Sequence, residues 1–370
     1  MAEKAGQLEE LRAELARLDS RLVDLVGERQ RLVSRIGRTK AEAGMPTRDY
    51  RQEKEVYERV RRDATARGVE AKLVDGLFAL LIRSSLARQE RDRVEAGSSG
   101  SGRRALVIGG AGRMGGWFVR FLASQGFTVE VADPAGEVEG FRSFSDWRGA
   151  GLDQDVIVVA SPLEQTARIL SDLAALRPSG LVFDIASLKG PLRAPLRLLR
   201  DAGVRVTSIH PMFGPDTELL SSRHVIFVEV GSPEATNQAR ELFASTMANR
   251  VDMEFEDHDR LIAFVLGLSH ALNLSFATAL SESGEQVPRL AEISSTTFDA
   301  QLEVAARVAS ESPDLYYEIQ ALNECGAESL DALSTAVERL RAAVQSNGSE
   351  EFTRLMLAGR AYLQERLGSI

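Results

Sequence analysis

The chain has 370 residues, 44% of them hydrophobic and 27% charged, a net charge of -9, and a single cysteine, Cys325. That length gives two or three domains with a well-buried core, and one cysteine excludes an internal disulfide and suits a reducing cytoplasm. The opening MAEKAGQLEELR lacks the apolar centre of a signal peptide, no stretch reads as long enough to span a bilayer, and four scattered histidines make no metal site.

Three blocks follow in chain order. Residues 1–95 are helical in pattern, 96–102 (AGSSGSG) form a flexible linker by composition, and 103–255 alternate β-branched runs with amphipathic segments. Residues 256–370 are again helical. The expected fold is therefore multi-domain: an all-α N-terminal bundle, an α/β Rossmann domain and an all-α C-terminal domain. Charge is uneven. Residues 1–104 hold 23 Lys and Arg against 18 Asp and Glu, and the remainder hold 22 against 36. A basic N-terminal part suits either a nucleic acid or a small anion.

In the first block, Leu8, Leu11, Leu15, Leu18, Leu22, Leu25, Leu32 and Ile36 fall at steps of three and four, with Arg29 filling the one gap. A helix from Leu8 to Lys40 would be roughly 50 Å long at about 1.5 Å per residue, so it must pack on later helices or a second subunit. On the seam alone, Arg29 reads as an edge cation of a coiled coil that snorkels to water. Lys40, however, returns about three turns later to nearly the same face, and two cations on an apolar face call for an anion. Asp49 and Glu53 lie one turn apart on the next helix. On the third, the stripe Leu73, Leu77, Leu81 continues into Ser85 and Gln89, marking either a helix leaving the core or a polar pocket.

Residues 8–93 resemble the all-helical chorismate mutase family, through Arg12 in LRAELARLD, Arg29 in GERQRLV, Lys40 in GRTK, Asp49, Glu53, Ser85 and Gln89. The resemblance implies two interlocked chains, with Arg12, about 100° around the helix from Arg29, reaching the partner's pocket. It also implies that Arg12 and Arg29 hold the two carboxylates of chorismate, while Lys40 and Gln89 donate to its ether oxygen. A pericyclic rearrangement needs fixed charge and a held conformer rather than a nucleophile. Cations that face a dicarboxylate leave the nucleic-acid reading a poor second. One departure is Gln52, where that family usually carries an arginine; Arg51 stands beside it.

The second block opens RRALVIGGAGRMGGWFVRFLASQGFTVEVADP. The expected strand Ala105–Ile108 leads into Gly110-Ala-Gly112-Arg113-Met114-Gly115 and a helix, and Asp133 ends the next strand, Thr128–Ala132. Gly110 would permit the tight turn, Gly112 a close approach of pyrophosphate, and Gly115 close packing of helix on strand. An acidic residue at Asp133 favours NAD over NADP. Arg113, Met114 and Ser161, the last after the strand 155–160, complete the expected cofactor contacts at the carboxyl ends of the strands. The strand 181–185 runs into Ser187-Leu-Lys189-Gly190, and 204–209 into His210-Pro-Met-Phe-Gly-Pro-Asp216. Of the four histidines, only His210 directly follows a strand and is held by prolines. His224 and His258 read as structural or exposed, and His270, inside a helix, as a core histidine more often than a catalyst.

His210-Pro-Met-Phe-Gly-Pro-Asp, Ser187-Leu-Lys189-Gly190 and Arg307-Val-Ala-Ser-Glu-Ser-Pro313 resemble the prephenate dehydrogenase family over residues 104–340. With the mutase segment, the chain resembles the bifunctional family that carries both activities. By that resemblance His210 accepts a hydrogen bond from the ring hydroxyl of prephenate, which a neutral imidazole can do near pH 7. Ser187 orients His210 or the hydroxyl, Arg307 anchors the ring carboxylate, and His270 adds a supporting contact. Asp299 stands where bifunctional members often carry another arginine. The implied partners are chorismate, prephenate, tyrosine as a feedback inhibitor and a second copy of the chain. Antibiotic-pathway chemistry on the 4-amino-4-deoxy analogues is the same-class rival. A mutase segment that only dimerises the chain, or a generic β-hydroxyacid dehydrogenase with a helical appendage, are the others.

Overall fold

A computed structural model describes residues 2–97 and 99–367, which divide into two compact units. One contains residues up to Ser161, 168–186 and 195–253; the other contains 162–167, 187–194 and 254 onward.

The first unit begins with three helices, α1 (Ala2–Glu42), α2 (Tyr50–Ala66) and α3 (Ala71–Gly97). Asp49 ends the α1–α2 turn as the N-cap of α2, its Oδ1 accepting the Gln52 N–H at 3.0 Å. The long α1 packs on α3 only near its C-terminal half, where Val33 and Ser34 are buried. The stripe Leu8, Leu11, Leu15, Leu18, Leu22 and Leu25 is about half exposed on every member.

The sheet joins β1 (Arg104–Ile108), β2 (Thr128–Ala132), β3 (Arg142–Phe144), β4 (Val156–Val159), β5 (Leu181–Asp184), β6 (Val206–Pro211), β7 (His224–Val228) and β8 (Asn249–Met253). Their spatial order is β3-β2-β1-β4-β5-β6-β7-β8. The central strands are apolar, VIVV in β4 and LVF before the closing Asp184 in β5, and are buried throughout. That is the pattern of a parallel sheet covered on both faces. Helix α4 (Arg113–Ser124) supplies Trp117, Phe118, Phe121 and Leu122 to a core that also holds Phe183, Phe227 and Phe243. These rings meet edge-on or offset, with Trp117 on Phe121 at 4.8 Å and Phe121 on Phe243 at 4.9 Å.

Three departures from the sequence reading stand out in this unit. The sheet is not wholly parallel: β7 runs antiparallel to β6, and β8 pairs parallel to β7. Residues 212–223 join β6 to β7 as a loop, and without a crossover helix the chain can return only antiparallel. Strand β3 is too short, and β8 (NRVDM) too polar, to announce themselves as strands. The glycine-serine stretch after α3 is also anchored where composition reads it as flexible. Gly100 N–H donates to Gln125 O at 2.9 Å and Ser99 Oγ to Gln125 Oε1 at 2.7 Å. A Cβ at Gly100 would lie 2.0 Å from the Phe127 ring, so close approach is what the glycine serves.

The second unit is mainly helical. Helix α5 (Phe255–Ile262) continues through a π-helical turn, Ala263–Leu268, into α6 (Ser269–Glu282). Helices α7 (Val287–Glu292), α8 (Thr296–Ala309), α9 (Pro313–Ala321), α10 (Gly326–Gln345) and α11 (Ser349–Leu367) follow. A widened π turn frees a carbonyl that needs a donor, and Gln320 Nε2 donates to Gly267 O at 2.7 Å. Contrary to the sequence reading, Phe255–Glu282 is by length and composition apolar enough to cross a bilayer. It buries polar residues as well, namely His258, His270 and Asn273.

Candidate active sites

In the helical part, α1 and α3 run parallel, Arg29 meeting Ser85 and Gly37 meeting Gln89, and their contact gathers most of the expected mutase residues. Arg29, Val33, Gly37 and Lys40 recur at helical spacing along α1, facing Ser85 and Gln89 on α3. Arg29 is half-buried and donates to Leu81 O at 3.0 Å and to Ser85 Oγ, and burial holds its guanidinium below the ordinary arginine range. Ser85 Oγ in turn donates to Leu81 O at 2.6 Å. Gln89 is buried, with Nε2 donating to Val33 O at 3.3 Å. Its Oε1, also buried, has no hydrogen-bond partner among the described residues. Lys40 Nζ donates to Thr47 O at 3.1 Å and shares a small cavity with Gln89, Thr47 and Arg93. Gly37 is what lets α3 come so near, since a Cβ there would lie 2.9 Å from Gln89 Cγ.

The other expected mutase residues are not gathered here. Arg12 is exposed on α1. Asp49 is occupied as the α2 cap. Glu53 is held by Arg48 through two bonds, 2.9 Å and 3.1 Å. Gln52 is exposed, and Arg51 pairs with Glu55 in solvent.

In the sheet, the glycine turn begins one residue earlier than the motif reading assigns. Gly109 carries the left-handed φ of +86°, and a Cβ on it would strike Ala160 O at 2.6 Å. Gly110 instead packs against Val131, and Gly115 meets the turn so closely that a Cβ would lie 2.0 Å from Gly109 O. Gly112 is the N-cap of α4, which no side chain caps. Asp133 is buried, accepting Ala111 N–H at 3.0 Å and Ala135 N–H at 2.8 Å, so it braces the turn from the end of β2. Met114 packs on the core, while Arg113 is exposed and lies 3.4 Å from Asp216. Ser161 is half-buried just beyond β4.

His210 lies within β6, which extends through Pro211, and is 4% exposed, paired in register with Ile226. It therefore stands at the same carboxyl edge of the sheet as the glycine turn, the edge where α/β sheets of this kind hold ligands. Beside it on the sheet is a buried group the sequence reading missed. Asp184, ending β5, accepts Ser208 Oγ at 2.5 Å and Ala186 N–H at 3.0 Å, and so fixes the chain that leads to Ser187. A carboxylate closing an apolar strand was its signal.

The second unit holds Ser187, His270 and Arg307. Ser187 is half-buried in a loop clamped by another missed residue, Asp259, which accepts Lys189 N–H at 2.9 Å and Gly190 N–H at 2.6 Å. Burial alone would push the Asp259 carboxyl up, but the His258 imidazole and those two N–H groups hold it below the usual range. His258 is fully buried in this structural role, and His224 is exposed. His270 stacks on Tyr316 at 3.9 Å, its buried Nδ1 has no hydrogen-bond partner among the described residues, and burial lowers its pKa. Arg307 is exposed and pairs with Glu303 one turn back, at 2.8 Å. Asp299 is likewise exposed and accepts Ser294 Oγ.

Comparison with known proteins aligns three families along the chain. Type II chorismate mutase matches residues 11–90, the prephenate dehydrogenase nucleotide-binding domain 141–251, and the prephenate dehydrogenase dimerization domain 254–358. The glycine turn lies upstream of the matched nucleotide-binding residues. A T-protein from Enterobacter agglomerans is 27% identical over 318 residues, covering 85% of this chain and 82% of that protein. A 4-amino-4-deoxyprephenate dehydrogenase from Streptomyces pristinaespiralis is 31% identical over 273 residues, 71% of this chain and 92% of its own. In fold, the chain is similar to a prephenate dehydrogenase from A. aeolicus solved with hydroxyphenyl propionate and NAD+. The TM-score is 0.55 at 18% identity, covering 71% of this chain and 98% of that one. With a mutase segment ahead of a nucleotide-binding and a dimerization segment, in that order, the chain belongs to the bifunctional family that joins a type II chorismate mutase to a prephenate dehydrogenase.

Proposed function

We propose that the chain rearranges chorismate to prephenate, then converts prephenate and NAD+ to 4-hydroxyphenylpyruvate, CO2 and NADH, two steps of tyrosine synthesis. The observation that carries this reading is the union, on one chain, of a cationic α1–α3 seam with a buried imidazole on the nucleotide-binding sheet.

In the mutase half, Arg29 and Lys40 supply fixed positive charge, and Gln89 a buried amide. Arg29 and the partner copy's equivalent of Arg12 bind the two carboxylates. Lys40 and Gln89 face the ether oxygen, where negative charge grows as the bond breaks. Ser85 keeps Arg29 aimed. Asp49, which caps α2, and Glu53, which Arg48 holds, join the pocket once the α2 turn brings them to the seam. This half needs a homodimer, because Arg12 points away from its own seam.

In the dehydrogenase half, the residues fit a dinucleotide. Gly112 leaves room for pyrophosphate at the α4 N-terminus, beside Arg113, Met114 and Ser161, Gly115 lets α4 pack close to the turn, and Asp133 offers its carboxylate to the ribose and repels a 2′-phosphate. The nicotinamide, when bound, takes up hydride. His210 accepts a hydrogen bond from the ring hydroxyl as the carbon that carries it loses hydride, the product keeping that proton on its phenol, and Ser187 orients the pair. Arg307 anchors the ring carboxylate, which leaves as CO2 and restores the aromatic ring, and His270 supports that contact. A cytoplasmic setting suits the lone cysteine, and tyrosine is the candidate feedback inhibitor.

The test is NAD+ reduction started with chorismate alone. Parent enzyme should turn over, Arg29→Ala should work only when prephenate is supplied, and His210→Asn should accumulate prephenate. Reduction from prephenate but never from chorismate would leave residues 1–95 as a dimerising segment only. The 31% identity to a 4-amino-4-deoxyprephenate dehydrogenase favours one second reading, the same reactions on the amino analogues. Comparing kcat/KM for hydroxy and amino substrates separates the two.

A further inference from the structure

The stripe Leu86, Glu90, Val94 on α3 places a carboxylate between two buried apolar residues, on a different face from Ser85 and Gln89. Glu90 is itself 4% exposed. Among the described residues, the hydrogen bonds on its carboxylate come from backbone N–H groups. Its Oε2 accepts Leu220 N–H at 2.7 Å and its Oε1 accepts Met247 N–H, while burial pushes its pKa up. Leu220 belongs to loop 212–223, the segment that follows His210-Pro211. A second bond reaches the same loop from the α1–α2 turn: Arg48, which grips Glu53, also donates to Ser221 Oγ at 2.8 Å. From the other side, the glycine-motif helix α4 holds this loop through Trp117 Nε1, which donates to Thr217 O at 3.0 Å, and through Arg113 near Asp216.

Loop 212–223 is thus tied to three places by a few polar bonds, and a cleft of about 560 Å³ lined by Val94, Trp117, Arg120, Phe121, Asp216 and Leu220 lies between it and the helices. Bonds across an unfilled cleft can shift together, whereas a close-packed contact would not. Two of the ties start one covalent step or one ion pair from expected mutase residues: Glu90 follows Gln89, and Arg48 holds Glu53.

We propose that loop 212–223 couples the mutase pocket to the dehydrogenase site, with Glu90 and Arg48 as positioning residues that report pocket occupancy to the segment after His210. The proposal rests on the reading of both sites above. A ligand that draws Gln89 and Glu53 inward moves Glu90 and Arg48 with them, so the loop and α4 take up the change. Linkage makes the effect reciprocal.

The experiment measures binding in the full chain by calorimetry. The probes are NAD+ and a bicyclic dicarboxylate analogue of the rearrangement transition state, each titrated with and without saturating amounts of the other. The parent should show a coupling factor of roughly 5-fold or more, equal in both directions. Glu90→Gln places an amide NH2 against one of the two N–H donors. Ser221→Ala removes the nearer of the two loop hydroxyls that accept from Arg48, Ser222 Oγ being at 3.4 Å, without touching the helical bundle. Each should bring the factor toward one while the Kd of each probe alone stays within about threefold. If Glu90→Gln fails to fold, Ser221→Ala decides alone. A parent with no coupling, or variants that keep it in full, would overturn the proposal while both probes still bind. A parent that binds one probe and not the other overturns it too, and in that case the functional reading of the silent site fails with it.

Discussion

At the scale of single residues, burial decides which expected groups have a clear test. His210 is enclosed in β6, so His210→Asn changes an acceptor without opening the sheet. Dehydrogenase kcat should fall about 10²- to 10⁴-fold while chorismate turnover is unchanged, and equal losses in both activities would point to misfolding instead. Asp133 braces Ala111 and Ala135 as well as facing the expected ribose position. Asp133→Ser should raise the ratio of NADP+ to NAD+ turnover and lower the melting temperature; a preference that stays with NAD+ would place discrimination elsewhere. Two buried groups give opposite pH signs. The His270 pKa is lowered by burial, so its contribution to stability is present above the ordinary imidazole value of about 6.5 and is lost as pH falls below it. The Glu90 pKa is raised by burial, so its contribution is present at acid pH and is lost as pH rises above the ordinary carboxyl range. Melting curves between pH 7 and 5 should therefore fall less steeply for His270→Phe than for the parent.

At the scale of elements, the glycine turn is the sharpest constraint. A methyl at Gly115 cannot be placed against Gly109 O without moving β1 from α4. Gly115→Ala should weaken NAD+ binding by at least tenfold and leave chorismate turnover intact, measured on the same preparation. The α1–α3 seam is the corresponding element in the mutase half, where the near contact of Gly37 and Gln89 sets the helix separation. Gly37→Ala should push α3 outward and cost most of the mutase activity, since Gln89 and Lys40 must face one ligand. Full mutase activity in that variant would mean that the cavity beside Lys40 is not where the rearrangement occurs.

At the scale of the whole molecule, the half-exposed leucine stripe of α1 bears on assembly. Leu15→Glu with Leu22→Glu should abolish mutase activity and shrink the particle in light scattering if a second copy covers this stripe and lends Arg12. An unchanged particle that keeps mutase activity would remove that role. Much of this protein was legible before folding. Uninterrupted apolar runs spell buried strands, and steps of three and four spell helices. The strings around Gly110, His210 and Arg307 carry the resemblance to the dehydrogenase family. Short or polar strands such as β3 and β8 were not legible, because their pairing depends on neighbours distant in sequence. Nor were Glu90, Asp184 and Asp259, whose meaning lies in backbone N–H groups brought from elsewhere in the chain. The antiparallel turn into β7 and the ties on loop 212–223 were likewise decided only in three dimensions. Local pattern records what a segment prefers to bury, but a buried carboxylate is satisfied by whichever donors tertiary packing delivers to it.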